Sequence, residues 1–355
     1  MTTDISGLLR ANIAGLKPYS TARDEYKGSL GIFLDANENP YQNGYNRYPS
    51  PAQKEKVRAR ISSIKGVRPE NLFMGNGSDE AIDLCYRVFC EPRVDNAVSI
   101  APSYGMYGVC ADINDVEFRT VPLGEDFSLP VEDLLKAADE HTKLMFLCSP
   151  NNPSGNAYDP QQLLQLVERF NGMVIVDEAY VDFSDKGSLK TYVGRYPNLI
   201  VLQTLSKAYA MAGLRVGLAI ADEKVVSVFK QVKYPYNIGT DTLTLAEKNL
   251  EKDVQDQIGE IISQRGMLSR ILPEFRCVEK VYPSDANFLL VKVTRARELY
   301  DRLIAAGLIV RDRSTTPGCE GCLRITVGTP EENKKLLEII SDYDKRYQES
   351  PFHRP

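Results

Sequence analysis

The sequence predicts an α/β protein, with a mostly parallel central sheet flanked by helices and a smaller α+β domain at the C-terminus. Two observations carry this prediction. From about residue 36 to 245, short apolar runs alternate with segments of helical period, the pattern of βαβ units. Beyond them, a long polar-faced helical stretch leads to two strand candidates, 286–293 and 322–327. The expected division is an N-terminal arm, 1–35, packing on the small domain or a partner subunit, then a large domain, 36–245, and a small domain, 246–355.

Taken in order, the first strand is Asn71-Leu72-Phe73-Met74, ending in Gly75-Asn76-Gly77-Ser78-Asp79-Glu80. Ser78 reads as the N-cap of a helix burying Ile82, Cys85, Val88 and Phe89, and the free N–H groups of its first turn suit an anion. Residues 143–147 form a second strand, ending in Cys148-Ser149-Pro150-Asn151-Asn152-Pro153-Ser154-Gly155. Asp159 caps a helix that has Pro160 at its first position and Leu163, Leu164, Val167 and Phe170 at helical spacing. The run 172–176 ends in Asp177-Glu178-Ala179-Tyr180, and the run 199–202 leads into Thr204-Leu205-Ser206-Lys207. One helical stretch, Thr242 to about Leu272, crosses to the second domain. There, helices start near Ala296, closed by Gly307, and at Glu331, with Leu336, Ile340, Tyr343 and Tyr347 on one face. The last residues, 349–355, read as frayed.

The chemistry collects at the ends of these strands. Thr204 and Ser206 hydroxyls with Arg215, eight residues after Lys207, suit a phosphate, and a lysine beside that charge can attack a carbonyl. A phosphorylated aldehyde that forms a Schiff base with lysine is pyridoxal phosphate. Asp177 falls beyond the carboxyl end of its strand, where ligands of parallel sheets bind, and can pair with a protonated pyridine nitrogen. Asn152 and Tyr180 can reach the phenolate oxygen of the same ring. Singly, each residue has a plainer reading as a turn, a cap or a packing side chain; their joint occurrence at successive strand ends carries the weight. Gly75-Asn76-Gly77 lacks the third glycine of a dinucleotide fingerprint and the Lys-Ser/Thr of a P-loop. In 322–327, strand alternation puts Leu323, Ile325 and Val327 on one face, and Cys322 and Arg324 on the other. An arginine fixed on a strand suits bidentate capture of a carboxylate or phosphate.

From Leu34-Asp35-Ala36-Asn37-Glu38-Asn39-Pro40 to Leu323-Arg324-Ile325-Thr326-Val327-Gly328-Thr329, these motifs resemble those of the fold-type I pyridoxal-phosphate aminotransferases, and among them the histidinol-phosphate aminotransferase family. The resemblance implies a fold-type I PLP-transferase with pyridoxal 5'-phosphate as cofactor. It implies that Lys207 carries the Schiff base and moves the substrate proton, and that Asp177 contacts the ring nitrogen. Asn152 and Tyr180 contact the ring hydroxyl, and Tyr104, in Pro102-Ser103-Tyr104-Gly105-Met106-Tyr107, stacks on the ring. Ser206, Arg215 and the Ser78-Asp79 backbone hold the phosphate, with Thr204 beside them. Tyr48 is similar to a tyrosine that reaches the cofactor of a neighbouring subunit, which implies a homodimer. Arg324, Arg311 and Tyr19 match substrate-binding positions. The implied reaction is ping-pong exchange of an amino group between L-glutamate and imidazole acetol phosphate, giving 2-oxoglutarate and L-histidinol phosphate in histidine biosynthesis. Relatives with the same cofactor set act on aromatic amino acids, and a more distant one decarboxylates threonine phosphate. The loop 40–45 and the run Thr315-Thr316-Pro317-Gly318 depart from the family pattern near the expected substrate entrance.

Composition narrows the class without choosing the chemistry. A net charge near −5 leaves no electrostatic footprint for nucleic acid or an anionic membrane. The N-terminus lacks a signal-peptide core, and no apolar stretch approaches membrane-spanning length, so a cytoplasmic protein is expected. Seven scattered cysteines, an odd number, do not form a disulfide framework, and Cys319 and Cys322 read as ordinary thiols. Neither His141 nor His353 sits in a nucleophile–base arrangement, and no metal site is expected.

Overall fold

The structure, a computed structural model, describes residues 5–17, 19 and 31–349. The large domain opens with α1 (Pro51–Lys65), β1 (Leu72–Asn76) and α2 (Ser78–Phe89). It continues through β2 (Asn96–Ala101), α3 (Met106–Ile113), β3 (Glu117–Pro122), α4 (Val131–Ala137), β4 (Thr142–Cys148) and α5 (Pro160–Arg169). Then follow β5 (Met173–Asp177), β6 (Leu199–Thr204), β7 (Val216–Ile220), α6 (Glu223–Val232) and α7 (Thr240–Asn249). The seven strands form one sheet in the order β1-β7-β6-β5-β4-β2-β3. All neighbours are parallel except β7, which runs antiparallel to both β1 and β6.

Alternation along β4 explains why its sequence reads as a continuous apolar run. Leu144, Phe146 and Cys148 enter the core on one face, and Met145 and Leu147 enter the core on the other. Asp159 caps α5 as expected, its side chain accepting from the Gln161 N–H at 2.8 Å. At the β1–α2 turn the expectation needs correction. The N-cap is Gly77, at φ 77°, and Ser78 is the first helical residue. That backbone conformation is open to glycine and strained for serine. The turn also touches β7: a Cβ on Gly217 would lie 2.0 Å from the Gly77 carbonyl carbon and the Ser78 nitrogen. Glycine at 217 is therefore what lets β7 pass so close to the start of α2.

The helical stretch expected from Thr242 to Leu272 is two helices, α7 and α8 (Gln255–Ile271). Asp253 accepts from the Gln255 N–H at 2.9 Å and starts the second helix afresh. Leu243, Ala246 and Leu250 belong to the large-domain core, so that domain runs about five residues past the expected boundary at 245. The small domain then adds β8 (Val278–Val281), β9 (Phe288–Val293), α9 (Ala296–Ala305), β10 (Arg311–Asp312), β11 (Cys322–Thr326) and α10 (Pro330–Glu349). Its sheet is antiparallel, in the order β10-β11-β9-β8. Gly307, at φ 78°, follows α9 and donates to the Ile304 carbonyl, while Leu308 donates to that of Leu303.

The N-terminal arm differs from expectation as well. Ile5 is buried in the core beneath α2 and α6, and Leu8, Leu9 and Ile13 pack against it. Arg10 pins this segment by donating to the Arg87 carbonyl at 3.1 Å and to Glu91 at 3.2 Å. Residues 5–14 thus lie on the large domain, because their apolar side chains complete its helical layer. No helix among the described residues is long and apolar enough to cross a membrane.

Candidate active site

Parallel strands β4 and β5, with β6 beside them, deliver their C-terminal ends to one edge of the sheet, facing the start of α2. A cavity of about 120 Å³ opens there, and Ser78, Asp79, Tyr104, Cys148, Asn152, Asp177, Tyr180, Thr204, Ser206, Lys207 and Arg215 line it. Ten of these are sequence-predicted residues, drawn from six separate segments.

Asp177 lies at the floor, fully enclosed. Tyr107 donates its hydroxyl to Asp177 Oδ2 at 2.8 Å, and the Ala179 N–H donates to Oδ1 at 3.1 Å. Burial pushes the Asp177 carboxyl up to about 6, against these hydrogen bonds, which pull it down. A cation above it, such as a protonated ring nitrogen, would restore full ionisation. Tyr107 itself is held by an aromatic stack: its ring lies 4.9 Å from Phe146, which stacks at 5.3 Å on Tyr86. The motif Pro102-Ser103-Tyr104-Gly105-Met106-Tyr107 contains this residue, but nothing local in the sequence gives it a role. Its place on the first turn of α3 aims it inward, a direction that only the docking of the helix decides.

Lys207 is exposed at the cavity mouth, with its amine 5.7 Å from the Tyr180 ring centroid. Desolvation lowers its pKa, helped by the charges of Arg324 and Arg215 and opposed by Asp177 and Asp79. Tyr180 is buried, its ring edge-on to Phe288 of the small domain at 5.2 Å. Burial raises its phenol pKa; Arg324 and Arg313 pull the other way.

The opposite end of the cavity is an anion cradle. Thr204 and Ser206 hydroxyls lie 3.0 Å apart, and the Ser206 N–H donates to Thr204 Oγ1 at 3.0 Å. The first-turn N–H groups of Ser78 and Asp79 belong to the set that every α-helix leaves without an intrahelical partner. Arg215, in a left-handed conformation at φ 55°, extends to Asp79 Oδ2 at 3.3 Å. Asp79 Oδ1 accepts from Tyr104 at 3.0 Å, so this carboxylate sets both the aromatic wall and the guanidinium. A Cβ on Gly77 would fall 2.6 Å from an Arg215 nitrogen, so the cradle requires glycine there.

Two further residues hold the frame. Buried Asn151 donates to the Pro102 carbonyl at 3.0 Å and to Ser154 at 2.8 Å, tying the Tyr104 loop to the Asn152 loop. Glu178 accepts from the Leu189 N–H at 2.7 Å, from Gln203 at 2.9 Å and from Ser188, tying the segment after Asp177 to the strand before Lys207. Asp177 and Glu178 thus serve separate neighbourhoods, as alternation predicts.

The small domain closes the site with Arg324, which donates to Asn152 Oδ1 and lies 5.3 Å over the Phe288 ring. Arg311 faces Arg324 directly across the β10–β11 ladder. Tyr19 does not join them. It is 77% exposed and borders a different groove, beside Tyr236 and edge strand β1. Tyr48 also lies outside the cavity, stacked on Tyr236 at 4.2 Å. The thiols of Cys319 and Cys322 are free and buried, and burial pushes them up to about 11 and about 12. They are unreactive at neutral pH.

The donor set fits pyridoxal phosphate. A phosphate-sized anion cradle, a lysine amine and a buried carboxylate lie at different sides of one small cavity walled by Tyr104. Residues 33–340 match the family described as aminotransferase class I and II. Histidinol-phosphate aminotransferase from Parabacteroides distasonis is 50% identical over 96% of this chain and 99% of its own length. In fold, the chain is similar to the histidinol-phosphate aminotransferase of Clostridium acetobutylicum, with TM-score 0.77 and 21% identity over 84% of this chain and 91% of that one. It is similar in the same way to that of Sinorhizobium meliloti, solved in complex with pyridoxal-5'-phosphate, with TM-score 0.74 and 21% identity over 84% of each chain. The chain belongs to the class I and II aminotransferase family.

Proposed function

We propose that this protein is the histidinol-phosphate transaminase of histidine biosynthesis, exchanging an amino group between L-glutamate and imidazole acetol phosphate to give 2-oxoglutarate and L-histidinol phosphate. One observation carries the substrate reading: Arg324 reaches over the cavity to Asn152 while Arg311 stands directly opposite it on the neighbouring strand. Like charges in direct cross-strand register repel, and an anionic substrate group relieves that cost. The 50% identity to the Parabacteroides distasonis enzyme, over nearly the full length of both chains, supports the same substrates.

Bound pyridoxal 5'-phosphate supplies a carbonyl that condenses with amines and a ring that withdraws electrons from the substrate α-carbon. Ser78, Asp79, Thr204, Ser206 and Arg215 would hold its phosphate, Asn152 and Tyr180 its ring hydroxyl, Asp177 its ring nitrogen, and Tyr104 its face. Lys207, its pKa lowered by desolvation, provides an amine that can lose its proton, act as nucleophile and then serve as base at the α-carbon. Asp177 keeps a negative charge at the cavity floor and so favours a proton on the nitrogen placed there. Arg324 and Arg311 orient the substrate by its carboxylate or phosphate.

The protein acts as a homodimer in the cytoplasm, on small molecules and without nucleic acid or membrane. The loop from 31 to 50 supports the dimer: Ile32, Leu34, Tyr41 and Tyr45 are 91%, 86%, 82% and 68% exposed in the single chain, a strip too apolar to face water. Tyr48 ends this strip, held where Glu38 accepts from its N–H at 2.7 Å, and from there it serves the partner's cofactor phosphate.

A half-reaction tests the substrate. Purified holoenzyme is mixed with L-histidinol phosphate, and separately with L-phenylalanine, while the absorption of the bound cofactor is followed. Rapid change with histidinol phosphate at low concentration and a feeble response to phenylalanine is the expected result. Preference for phenylalanine would replace it with an aromatic amino acid aminotransferase.

A further inference from the structure

A third arginine stands on the same sheet face as Arg311 and Arg324. The Arg313 N–H donates to the Cys322 carbonyl at 2.9 Å, which carries the β10–β11 ladder one residue past Asp312. Alternation then puts Arg311 and Arg313 on one face with Arg324 and Cys322, while Leu323, opposite Asp312, enters the small-domain core on the other. The shared face is the one turned to the large domain, since Cys322 packs with Phe127 and Arg324 bonds Asn152.

Among the described residues, no carboxylate lies within ion-pair distance of any of the three arginines. Arg313 Nε is buried and has no hydrogen-bond partner. A buried guanidinium donor without an acceptor is costly, and half-buried Arg324 and exposed Arg311 add like charge beside it. Both costs vanish when a multiply charged anion with several acceptor oxygens sits among them. A phosphate monoester has that charge and that number of oxygens; a carboxylate has half the charge and two oxygens.

We propose that Arg313 is a specificity-determining residue, a third phosphate-recognising arginine that sets the preference for a phosphorylated amine over its dephosphorylated counterpart. The inference rests on the transaminase reading above and adds to it the residue that discriminates the phosphate. The desolvation of Arg313 and its charge coupling to Arg324 and Arg311 agree with this placement.

The test compares L-histidinol phosphate with L-histidinol as amino donors, 2-oxoglutarate as acceptor, in wild type, Arg313→Gln and Arg313→Lys. Wild type prefers the phosphate ester. Arg313→Gln loses roughly tenfold in kcat/KM for the ester, carried by KM, and less than about twofold for L-histidinol, the size of one lost charge-assisted hydrogen bond. Inorganic phosphate, as a competitive inhibitor, weakens by a similar factor, and Arg313→Lys falls between. If Arg313→Gln keeps the wild-type ratio of the two donors, the proposal is wrong while the transaminase reading stands. If wild type itself shows no preference for the ester, the transaminase reading falls first. Should Arg313→Gln fail to fold, unchanged phosphate inhibition in Arg313→Lys, which keeps the charge and loses the fork, overturns the proposal by itself.

Discussion

At the scale of single residues, the site works by burying a carboxylate and then compensating it. Burial raises the Asp177 carboxyl to about 6, and the hydrogen bonds from Tyr107 and the Ala179 N–H oppose that rise. Tyr107→Phe removes one of those donors, so the carboxyl should hold its proton to higher pH. The acid limb of the kcat/KM profile is expected to move upward by about one pH unit, with weaker cofactor retention on dialysis. An unmoved limb would show that Tyr107 only packs. Lys207 has the opposite task, since desolvation and two arginines favour its neutral form. Lys207→Ala should cut transamination by at least about a thousandfold while circular dichroism and melting stay near wild type. Retained turnover in that variant would exclude Lys207 as nucleophile and base.

At the scale of elements, the cradle depends on how closely β7 and the start of α2 approach. Gly217 has no room for a side chain, with two backbone atoms of the turn 2.0 Å from where its Cβ would be. Gly217→Ala must push Gly77 and Ser78 away from Arg215, so both stability and phosphate binding suffer. We expect a loss of about 1–3 kcal/mol in unfolding free energy, typical of overpacking, together with a raised dissociation constant for the cofactor. Normal stability and normal cofactor affinity in this variant would mean that the approach is not rigid.

At the scale of the whole molecule, the small domain reaches the site through Arg324, and the proposed homodimer would add Tyr48 of the partner subunit. Complementation tests the second point. A Lys207→Ala subunit retains Tyr48, and a Tyr48→Ala subunit retains Lys207, so a mixed dimer has one site with both. Co-expression of the two variants should restore up to about a quarter of wild-type activity, because half of randomly paired dimers are mixed and each has one intact site. No gain over either variant alone would place Tyr48 in its own subunit's site or in none. Sedimentation of the mixture should show a dimer throughout.

The sequence by itself determined the local vocabulary: which runs are strands, where Asp159 and Gly307 bound their helices, and which residue types stand at successive strand ends. These follow from short-range physics, periodicity and capping, and from the rule that parallel strands present ligand sites at their carboxyl ends. It was enough to name Asp177, Asn152, Tyr180, Thr204, Ser206, Lys207 and Arg215 as one group, and they line one cavity. Tertiary structure alone decided what depends on approach and direction. The break between α7 and α8, the antiparallel path of β7 and the lie of residues 5–14 on the large domain answer to packing, which local propensity does not encode. Tyr107 beneath Asp177, Asp79 between Tyr104 and Arg215, and Arg313 beside Arg324 gain their meaning from helix docking and cross-strand register. Those contacts join residues far apart in the chain, so no window of sequence contains them.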